Sequence, residues 1–332
     1  MTIPTRLRAS ARGLLAASAA AVLSLAAACG PAEENAGSDD AASAGYPATV
    51  EHHRGETEIT SQPKTVVALD PSFVEAAVAL EMDVVGRVVY ADPSEKLPEY
   101  LGEEGEKYAG DAEVLGTLQE PDLAKIAELQ PDLIVSADIR HADLYDRLSK
   151  IAPTVFSETT GATWKDNVLL LGDAVGKRDL ADEKIGDYEK RAKALGKAIE
   201  KKYDGDVPTM SLTRFVGEPT VRLYSTASFP GIVQNDVGLP RPKGAPNTED
   251  EISVDLSQEE ILDLDADRIF VSTWQGDEEA GKKAEVFQGN PLWDKLKGEK
   301  HNVDDDVWYT SVSLQGAEGI LDDLSEVYGV DA

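Results

Sequence analysis

The sequence of 332 residues has one cysteine, four histidines and three methionines, and aromatic residues make up only 6% of it. One cysteine cannot form a disulfide within the chain, and four scattered histidines offer little for a zinc or manganese site. Basic residues are also scarce, since 32 lysines and arginines stand against 62 acids, for a net charge of −30. This charge repels nucleic acid and anionic lipid headgroups, so neither is an expected partner.

The sequence also lacks the short motifs of common enzyme sites. It has no Gly-x-Ser-x-Gly elbow, no His-Glu-x-x-His zinc motif and no glycine-rich phosphate loop. Paired carboxylates are abundant, but in so acidic a chain they indicate nothing about catalysis. We therefore expect a binding protein rather than an enzyme. A lipid-anchored enzyme stays open as an alternative that turnover of an ester, glycoside or phosphate would support.

The first 28 residues have the layout of a secretory signal peptide. Three arginines precede an apolar, alanine-rich run at 13–28, which is shorter than the roughly 20 residues that span a bilayer. Cys29 follows directly, and this arrangement resembles a bacterial lipobox, which implies a diacylglycerol on Cys29. An ordinary signal peptide with an incidental cysteine is the alternative. No other hydrophobic run is long enough to span a membrane, so the lipid alone would attach the chain.

The composition changes twice after the signal. Residues 29–46 are small, polar and acidic, which predicts a disordered tether. From Pro47 onward, short β-branched runs alternate with helical segments, which is typical of a largely parallel sheet. The predicted strands are 65–69, 84–89, 133–137 and 153–156, and the predicted helices are 71–82, 122–129 and 141–150.

Residues 179–203 predict one long helix, because apolar side chains recur at helical spacing with acids early and lysines late. An internal repeat lies on both sides of it: 126–135 resembles 261–270 at a constant offset. We therefore expect an α/β protein with two lobes, 47–178 and 204–332, bridged by this helix. A long surface helix on a single domain is the alternative.

Ligands of open α/β sheets collect beyond the carboxyl ends of the strands. The repeat places Arg140 and Trp274 at two such ends. A hairpin over 210–224 would present Arg214, Arg222 and Tyr224 together. Guanidinium groups and aromatic rings suit a planar, oxygen-rich, partly anionic ligand. Surface ion pairs are the alternative for each arginine, and core packing is the alternative for the aromatic residues.

Several motifs, in this order and spacing, resemble the ferric-siderophore substrate-binding lipoproteins of bacterial ABC importers. The likeness runs from about Glu51 to the C-terminus. Its motifs are Glu51-His52-His53-Arg54-Gly55, Pro63-Lys64-Thr65-Val66-Val67, Glu120-Pro121-Asp122-Leu123, Pro131-Asp132-Leu133-Ile134, Ile139-Arg140-His141, Asn290-Pro291-Leu292-Trp293 and Val307-Trp308-Tyr309.

The resemblance implies two Rossmann-like lobes bridged by one helix, with an iron(III)-siderophore complex between them. It implies that the chelator holds the iron, so the protein needs no cofactor or metal ligands of its own. The implied ligand contacts are Arg140, Arg214, Arg222, Tyr224, Trp274, Trp308, Tyr309 and Tyr90.

The resemblance also implies an ABC permease as partner, with the chain a monomer anchored on the extracytoplasmic face of the cell membrane. Asp143 in the first lobe and Glu259 in the second match the permease-docking acids, and Glu260 is an alternative to Glu259. Another cargo stays open: haem and cobalamin also suit arginines and aromatic rings, and a free metal ion would need histidines and carboxylates brought together.

Overall fold

The structure is a computed structural model that describes residues 45–90, 96–247 and 251–331. The predicted signal peptide, Cys29 and nearly all of the predicted tether lie outside these ranges. Within the described ranges, no helix is both long and apolar enough to cross a membrane.

The first lobe begins with a hairpin and continues as a five-stranded sheet with helices on its faces. Its elements are β1 (Ala48–His52), β2 (Gly55–Ile59), β3 (Thr65–Ala68), α1 (Pro71–Ala79), β4 (Asp83–Val89), α2 (Gly102–Ala109), β5 (Glu113–Thr117), α3 (Leu123–Leu129), β6 (Leu133–Ala137), α4 (Asp138–His141), α5 (Tyr145–Leu148), β7 (Thr154–Ser157) and α6 (Trp164–Val175). The strand order is β5-β4-β3-β6-β7, with every pair parallel. The order reverses between β3 and β6, which is where a sheet of this kind opens a crevice.

One helix, α7 (Arg178–Lys202), leads from the first lobe to the second. Its 25 residues span about 38 Å at roughly 1.5 Å per residue. The buried stripe recurs every three or four positions and contains Ala181, Ile185, Tyr188, Ala192, Leu195 and Ile199. Tyr188 contacts Trp164 of α6 edge to face at 5.3 Å, so α7 is held firmly against the first lobe.

The second lobe has its own five-stranded sheet. Its elements are β8 (Met210–Phe215), β9 (Val221–Tyr224), α8 (Phe229–Val237), β10 (Ser253–Leu256), β11 (Arg268–Thr273), α9 (Glu278–Gln288), β12 (Glu299–Asn302) and α10 (Leu314–Tyr328). The strand order is β10-β9-β8-β11-β12, in which β9 runs antiparallel to both neighbours. The parallel strands β8 and β11 mark the reversal of order in this sheet. Two mostly parallel sheets joined by one long helix confirm the predicted fold class.

The core is continuous from one lobe to the other. One apolar cluster combines residues of the first sheet, α1, α6, α7, α8 and α10 with Met210 and Leu212 of β8. Smaller clusters fill the opposite face of each sheet. Because close-packed interiors deform little, this shared core favours small movements of one lobe against the other.

The internal repeat has a counterpart in three dimensions. Asp132, just before β6, accepts hydrogen bonds from the backbone N–H and hydroxyl of Thr65, both at 3.0 Å. Asp267, just before β11, accepts the same two bonds from Thr209 at 2.8 and 2.7 Å. Each aspartate therefore ties the start of its own strand to the start of the neighbouring parallel strand.

The predicted helix at 141–150 is wrong in detail. A 3₁₀ turn, Ala142–Leu144, separates α4 from α5. The ring of His141 is buried and lies 2.7 Å from both the Ser136 hydroxyl and the Leu118 carbonyl oxygen. These contacts hold His141 against the end of the sheet, so the chain breaks there instead of continuing as one helix.

Candidate functional site

The first half of the site lies at the carboxyl ends of β3 and β6. Asp70 follows β3 and caps α1, accepting a hydrogen bond from the Ser72 N–H at 2.9 Å. Arg140 follows β6, and its Nε donates to Asp70 Oδ2 at 2.8 Å. Arg54 in the β1–β2 hairpin forms an ion pair with Asp138, which holds the short helix α4 that contains Arg140. Arg140 therefore lies where the strand order reverses, already paired with the buried carboxylate of Asp70.

The second half lies on β8 and β9. Arg214 and Arg222 are direct partners in the antiparallel register, so both side chains lie on one face of the sheet, together with Tyr224. Arg214 donates from Nε and Nη2 to the two oxygens of Asp305 at 2.8 and 2.6 Å. Arg222 donates to Glu218 at 2.8 Å and is more exposed than Arg214. The predicted hairpin and its cluster of two arginines and a tyrosine are present.

The charge state of Arg214 follows from this pairing. Burial alone would lower the pKa of its guanidinium, but the hydrogen bonds and charge of Asp305 outweigh burial and raise the pKa. The cation also lies 5.3 Å from the ring centre of Tyr309. Tyr309 contacts Tyr224 at 4.7 Å between ring centres, so the three side chains form one packed group.

Between the two halves is a cavity of about 590 Å³. The first lobe contributes residues of α1, the end of β4 and the segment 96–101, and the second contributes Trp274, Gln275, Gly276, Asp306 and Thr310. Tyr90 lies in its wall, with its hydroxyl donating to the Thr310 carbonyl oxygen at 3.0 Å. This bond joins the two lobes across the cavity.

Charges from both lobes act on the phenol of Tyr90. Burial raises the pKa of its phenol strongly, and the charges that act on it next include Asp70 and Arg140 from one lobe and Arg214 from the other. Arg214 donates as well to the Thr310 hydroxyl at 3.3 Å, directly behind the cavity wall. Among the described residues, the predicted contacts Arg140, Arg214, Arg222, Tyr224 and Tyr309 do not line the cavity. Arg214 reaches the cavity wall through Thr310, and Arg140 holds Asp70, which directly precedes the lining residue Pro71.

The tryptophans are placed differently from each other. Trp274 lines the cavity, and it packs so closely on Gly276 that an added Cβ there would lie 2.5 Å from the indole. Trp308 has no exposed surface, stacks on Phe270 at 4.9 Å and donates from Nε1 to Asp323 at 2.6 Å. The structure places Trp308 in the core, which corrects the expectation of a ligand contact.

The polar cavity residues that were not singled out from the sequence include Glu75, Arg87, Lys96 and Tyr100. Glu75 and Arg87 are each the one charged residue in the middle of an apolar, buried element, α1 and β4 respectively. A lone charge in a core segment was the signal that could have found them. Burial raises the pKa of Glu75 to about 8.

The two predicted docking acids are both exposed, and neither forms an ion pair within the described ranges. Glu260, the alternative, is engaged with Ser257, whose N–H and hydroxyl donate to it at 2.9 and 2.8 Å. The internal repeat does not relate Asp143 to Glu259. Its offset relates Glu259 to Ala124, beside the exposed Glu120.

The described residues contain no group of three or more histidine, cysteine, aspartate or glutamate side chains placed to hold a metal ion. His141 is buried in its two structural contacts, and burial lowers its pKa. His52 and His53 lie in the hairpin, whereas His301 lies beside Phe270 in the second lobe.

The sequence matches the periplasmic binding protein family over residues 66–302, and the chain belongs to that family. It is 34% identical to the probable siderophore-binding lipoprotein YfiY of Bacillus subtilis, covering 91% of this chain and 93% of that protein. It is 27% identical to the Fe(3+)-citrate-binding protein YfmC of the same organism, covering 84% and 85%.

A solved structure is also similar over most of its length. Staphylococcus aureus SirA complexed with staphyloferrin B superposes with a TM-score of 0.76 at 28% identity, covering 86% of this chain and 99% of SirA. The fold that the sequence resemblance implied is therefore the fold of the family.

Proposed function

We propose that this protein is an extracytoplasmic receptor that captures an iron(III)-siderophore complex between its lobes and delivers it to an ABC permease. The observation that carries the proposal is the cavity of about 590 Å³, which both lobes line and whose wall residue Thr310 accepts a hydrogen bond from Arg214. Pockets of this size accommodate small organic ligands. The relatives named for siderophore or ferric citrate binding support the same cargo.

The site chemistry suits a chelate that is rich in oxygen. Arg140 donates from Nε and Nη2 to Asp70 and Thr160, and its Nη1 takes part in neither bond, whereas Arg214 is hydrogen-bonded to Tyr224 as well as to Asp305 and Thr310. The Nη1 N–H groups of Arg140 would bind carboxylate or hydroxamate oxygens, while Trp274 and Tyr90 pack against the organic body. The iron stays inside the chelator, so protein side chains coordinate nothing.

Attachment and delivery complete the proposal. A lipid on Cys29 would keep the receptor at the extracytoplasmic face of the membrane, with the permease docking on Asp143 and Glu259. The monomer suffices, because the cavity is built from one chain. The continuous core along α7 supports a small closure of the lobes on cargo rather than a wide swing.

Fluorescence titration tests the proposal directly, because Trp274 lies in the cavity wall. Ferric citrate and a panel of ferric hydroxamate and mixed carboxylate chelates should include at least one that quenches intrinsic fluorescence saturably, with the iron-free chelators as controls. Replacing Arg140, Arg214 or Arg222 with alanine should weaken that binding roughly ten- to hundredfold. If no ferric chelate changed the fluorescence, or if haem, cobalamin or free zinc bound more tightly, the proposed cargo would be wrong.

A further inference from the structure

Glu75 is a buried carboxyl group at the point where the two lobes meet. Its side chain is in the cavity wall, although the residue is only 2% exposed. Tyr100, from the first lobe, places its hydroxyl 2.7 Å from Oε1, and Ser311, from the second, places its hydroxyl 2.9 Å from Oε2. Gln315 at the start of α10 also donates to the Glu75 backbone carbonyl at 3.1 Å. The carboxyl group therefore has a hydroxyl partner in each lobe.

Burial favours the neutral form of Glu75, although the cavity wall to which it belongs also contains the cations of Arg87 and Lys96. Burial raises its pKa to about 8, and the charges of Asp70 at the start of α1 and Asp306 before Ser311 add to the effect. The hydrogen bonds from Tyr100 and Ser311 act in the opposite direction but do not outweigh burial. Tyr90, which follows β4, is half-buried, and burial raises the pKa of its phenol, so it is neutral as well. Glu75 thus carries a proton at neutral pH and loses it in mildly alkaline solution.

The proton on Glu75 determines which way the hydrogen bond to Tyr100 runs. A carboxylate can only accept, so the Tyr100 hydroxyl must donate to Oε1 and can offer the cavity nothing but lone pairs. A protonated Oε1 can instead donate to the Tyr100 oxygen. The phenolic proton of Tyr100, which lines the same cavity, is then free to point at a ligand.

We propose that Glu75 is a specificity-determining residue, which makes Tyr100 a hydrogen-bond donor to anionic, oxygen-rich cargo only while Glu75 is protonated. This inference rests on the proposed function. An anionic ligand disfavours a second negative charge beside it, so cargo and proton bind together, and alkaline conditions weaken both. The proton comes from solvent and bonds to Oε1, and no other covalent bond changes.

Glu75→Gln is the decisive variant, because a carboxamide reproduces the protonated state. Its NH₂ group donates to Tyr100 and its oxygen accepts from Ser311. With ferric citrate as probe, the affinity of the wild type relative to E75Q should fall about tenfold per pH unit above about pH 8. Taking the ratio at each pH cancels changes in the probe itself. The Tyr100→Phe variant should bind more weakly and lose the dependence on Glu75.

An infrared pH titration of the ligand-free protein supplies a readout independent of cargo. A protonated carboxyl band that E75Q lacks should be present at neutral pH and disappear near pH 8, far above the titration of ordinary surface acids. Absence of that band at neutral pH, or equal pH dependence of binding in the wild type and E75Q, would overturn the inference. Failure of every ferric chelate to bind either protein, with the band present, would instead overturn the proposed function.

Discussion

Arg214 and Asp305 form a two-point ion pair in which the carboxylate is fully buried and the guanidinium nearly so. Asp305 also accepts from the hydroxyls of Ser272 at 2.6 Å and Thr310 at 3.0 Å. With four hydrogen bonds, Asp305 has no freedom to move, and the guanidinium can turn only as this network permits. The arginine that donates to Thr310 of the cavity wall is therefore oriented before any ligand arrives.

Because of this arrangement, the direction in which Asp305→Asn changes chelate affinity is informative. Removing a negative charge near an anionic ligand should strengthen binding if simple attraction governs the site. If orientation governs it, D305N should weaken ferric chelate binding about tenfold, the size of one lost charged hydrogen bond. Calorimetric affinity with a thermal melt to verify folding distinguishes these outcomes, and tighter binding would contradict the role of Asp305.

The matched control is Glu218→Gln, which changes the partner of Arg222. That pair is partly exposed, with 28% of the arginine and 43% of the glutamate side chain accessible. Exposed pairs contribute little, so we expect E218Q to change chelate affinity by no more than about threefold.

Much of this fold follows from local sequence pattern. Strand β6 has the predicted bounds, β8 and β9 together span the hairpin predicted over 210–224, and the helix predicted at 179–203 is Arg178–Lys202. In these elements the hydrophobic residues recur with a clear period, and turn or capping residues mark the ends, so neighbouring residues alone determine the structure. The pairing of Arg214 with Arg222 also follows from strand alternation once the hairpin is assumed.

The acids that hold the arginines could not be predicted in the same way. Asp70 and Asp305 lie 70 and 91 residues from their partners in sequence, and 62 acids offered too many candidates. The prediction that Trp308 contacts the ligand failed for a related reason. Trp308 lies in a π-helical turn, Asp306–Thr310, in which both Trp308 and Tyr309 are buried, and its core partners Phe270 and Asp323 lie outside that turn.

The two aspartates of the repeat should stabilise their lobes independently. Burial opposes ionisation of Asp132, but hydrogen bonds from Lys64 and Thr65 lower its pKa, and those from Thr209 lower that of Asp267. A carboxyl group whose pKa is lower in the folded state stabilises the fold at pH values above its pKa in the unfolded state. This stabilisation is lost as the pH falls through the pKa of the folded state. Asp132→Asn and Asp267→Asn should each cost about 1 kcal/mol at neutral pH.

Denaturant unfolding of the two single variants and the double variant measures this effect. The two losses should add, because the aspartates lie in different lobes and share no partner. The difference from wild type should begin to shrink below about pH 4, where the aspartates of the unfolded chain become protonated, and it should disappear once the pH falls below their lowered folded-state pKa. A penalty that is unchanged in acid would contradict the assignment to ionised carboxylates.

Charge reversal at the two predicted docking acids should separate delivery from capture. Asp143→Arg and Glu259→Arg leave the cavity untouched, so chelate affinity should stay within about twofold, whereas iron uptake through the permease should fall about tenfold or more. Glu285→Arg on α9 is the charge-matched control.

The internal repeat relates Glu259 to Ala124, so Glu120→Arg is tested in the same assay. If E120R lost iron uptake while D143R kept it, the docking acid of the first lobe would be Glu120 instead of Asp143.

The contrast between Trp274 and Trp308 gives an optical prediction. Energy passes from an excited indole to a nearby ferric chelate, and Trp274 is in the cavity wall while Trp308 is in the core behind it. Trp274→Phe should therefore remove most of the ligand-dependent quenching and weaken chelate binding roughly three- to tenfold through lost aromatic contact. Trp308→Phe should retain chelate affinity but lower the melting temperature, because it loses the bond to Asp323 and the stacking on Phe270. If W308F instead lost chelate affinity while W274F kept it, Trp308 would belong to the ligand site after all, and the placement of the cavity against Trp274 would be wrong.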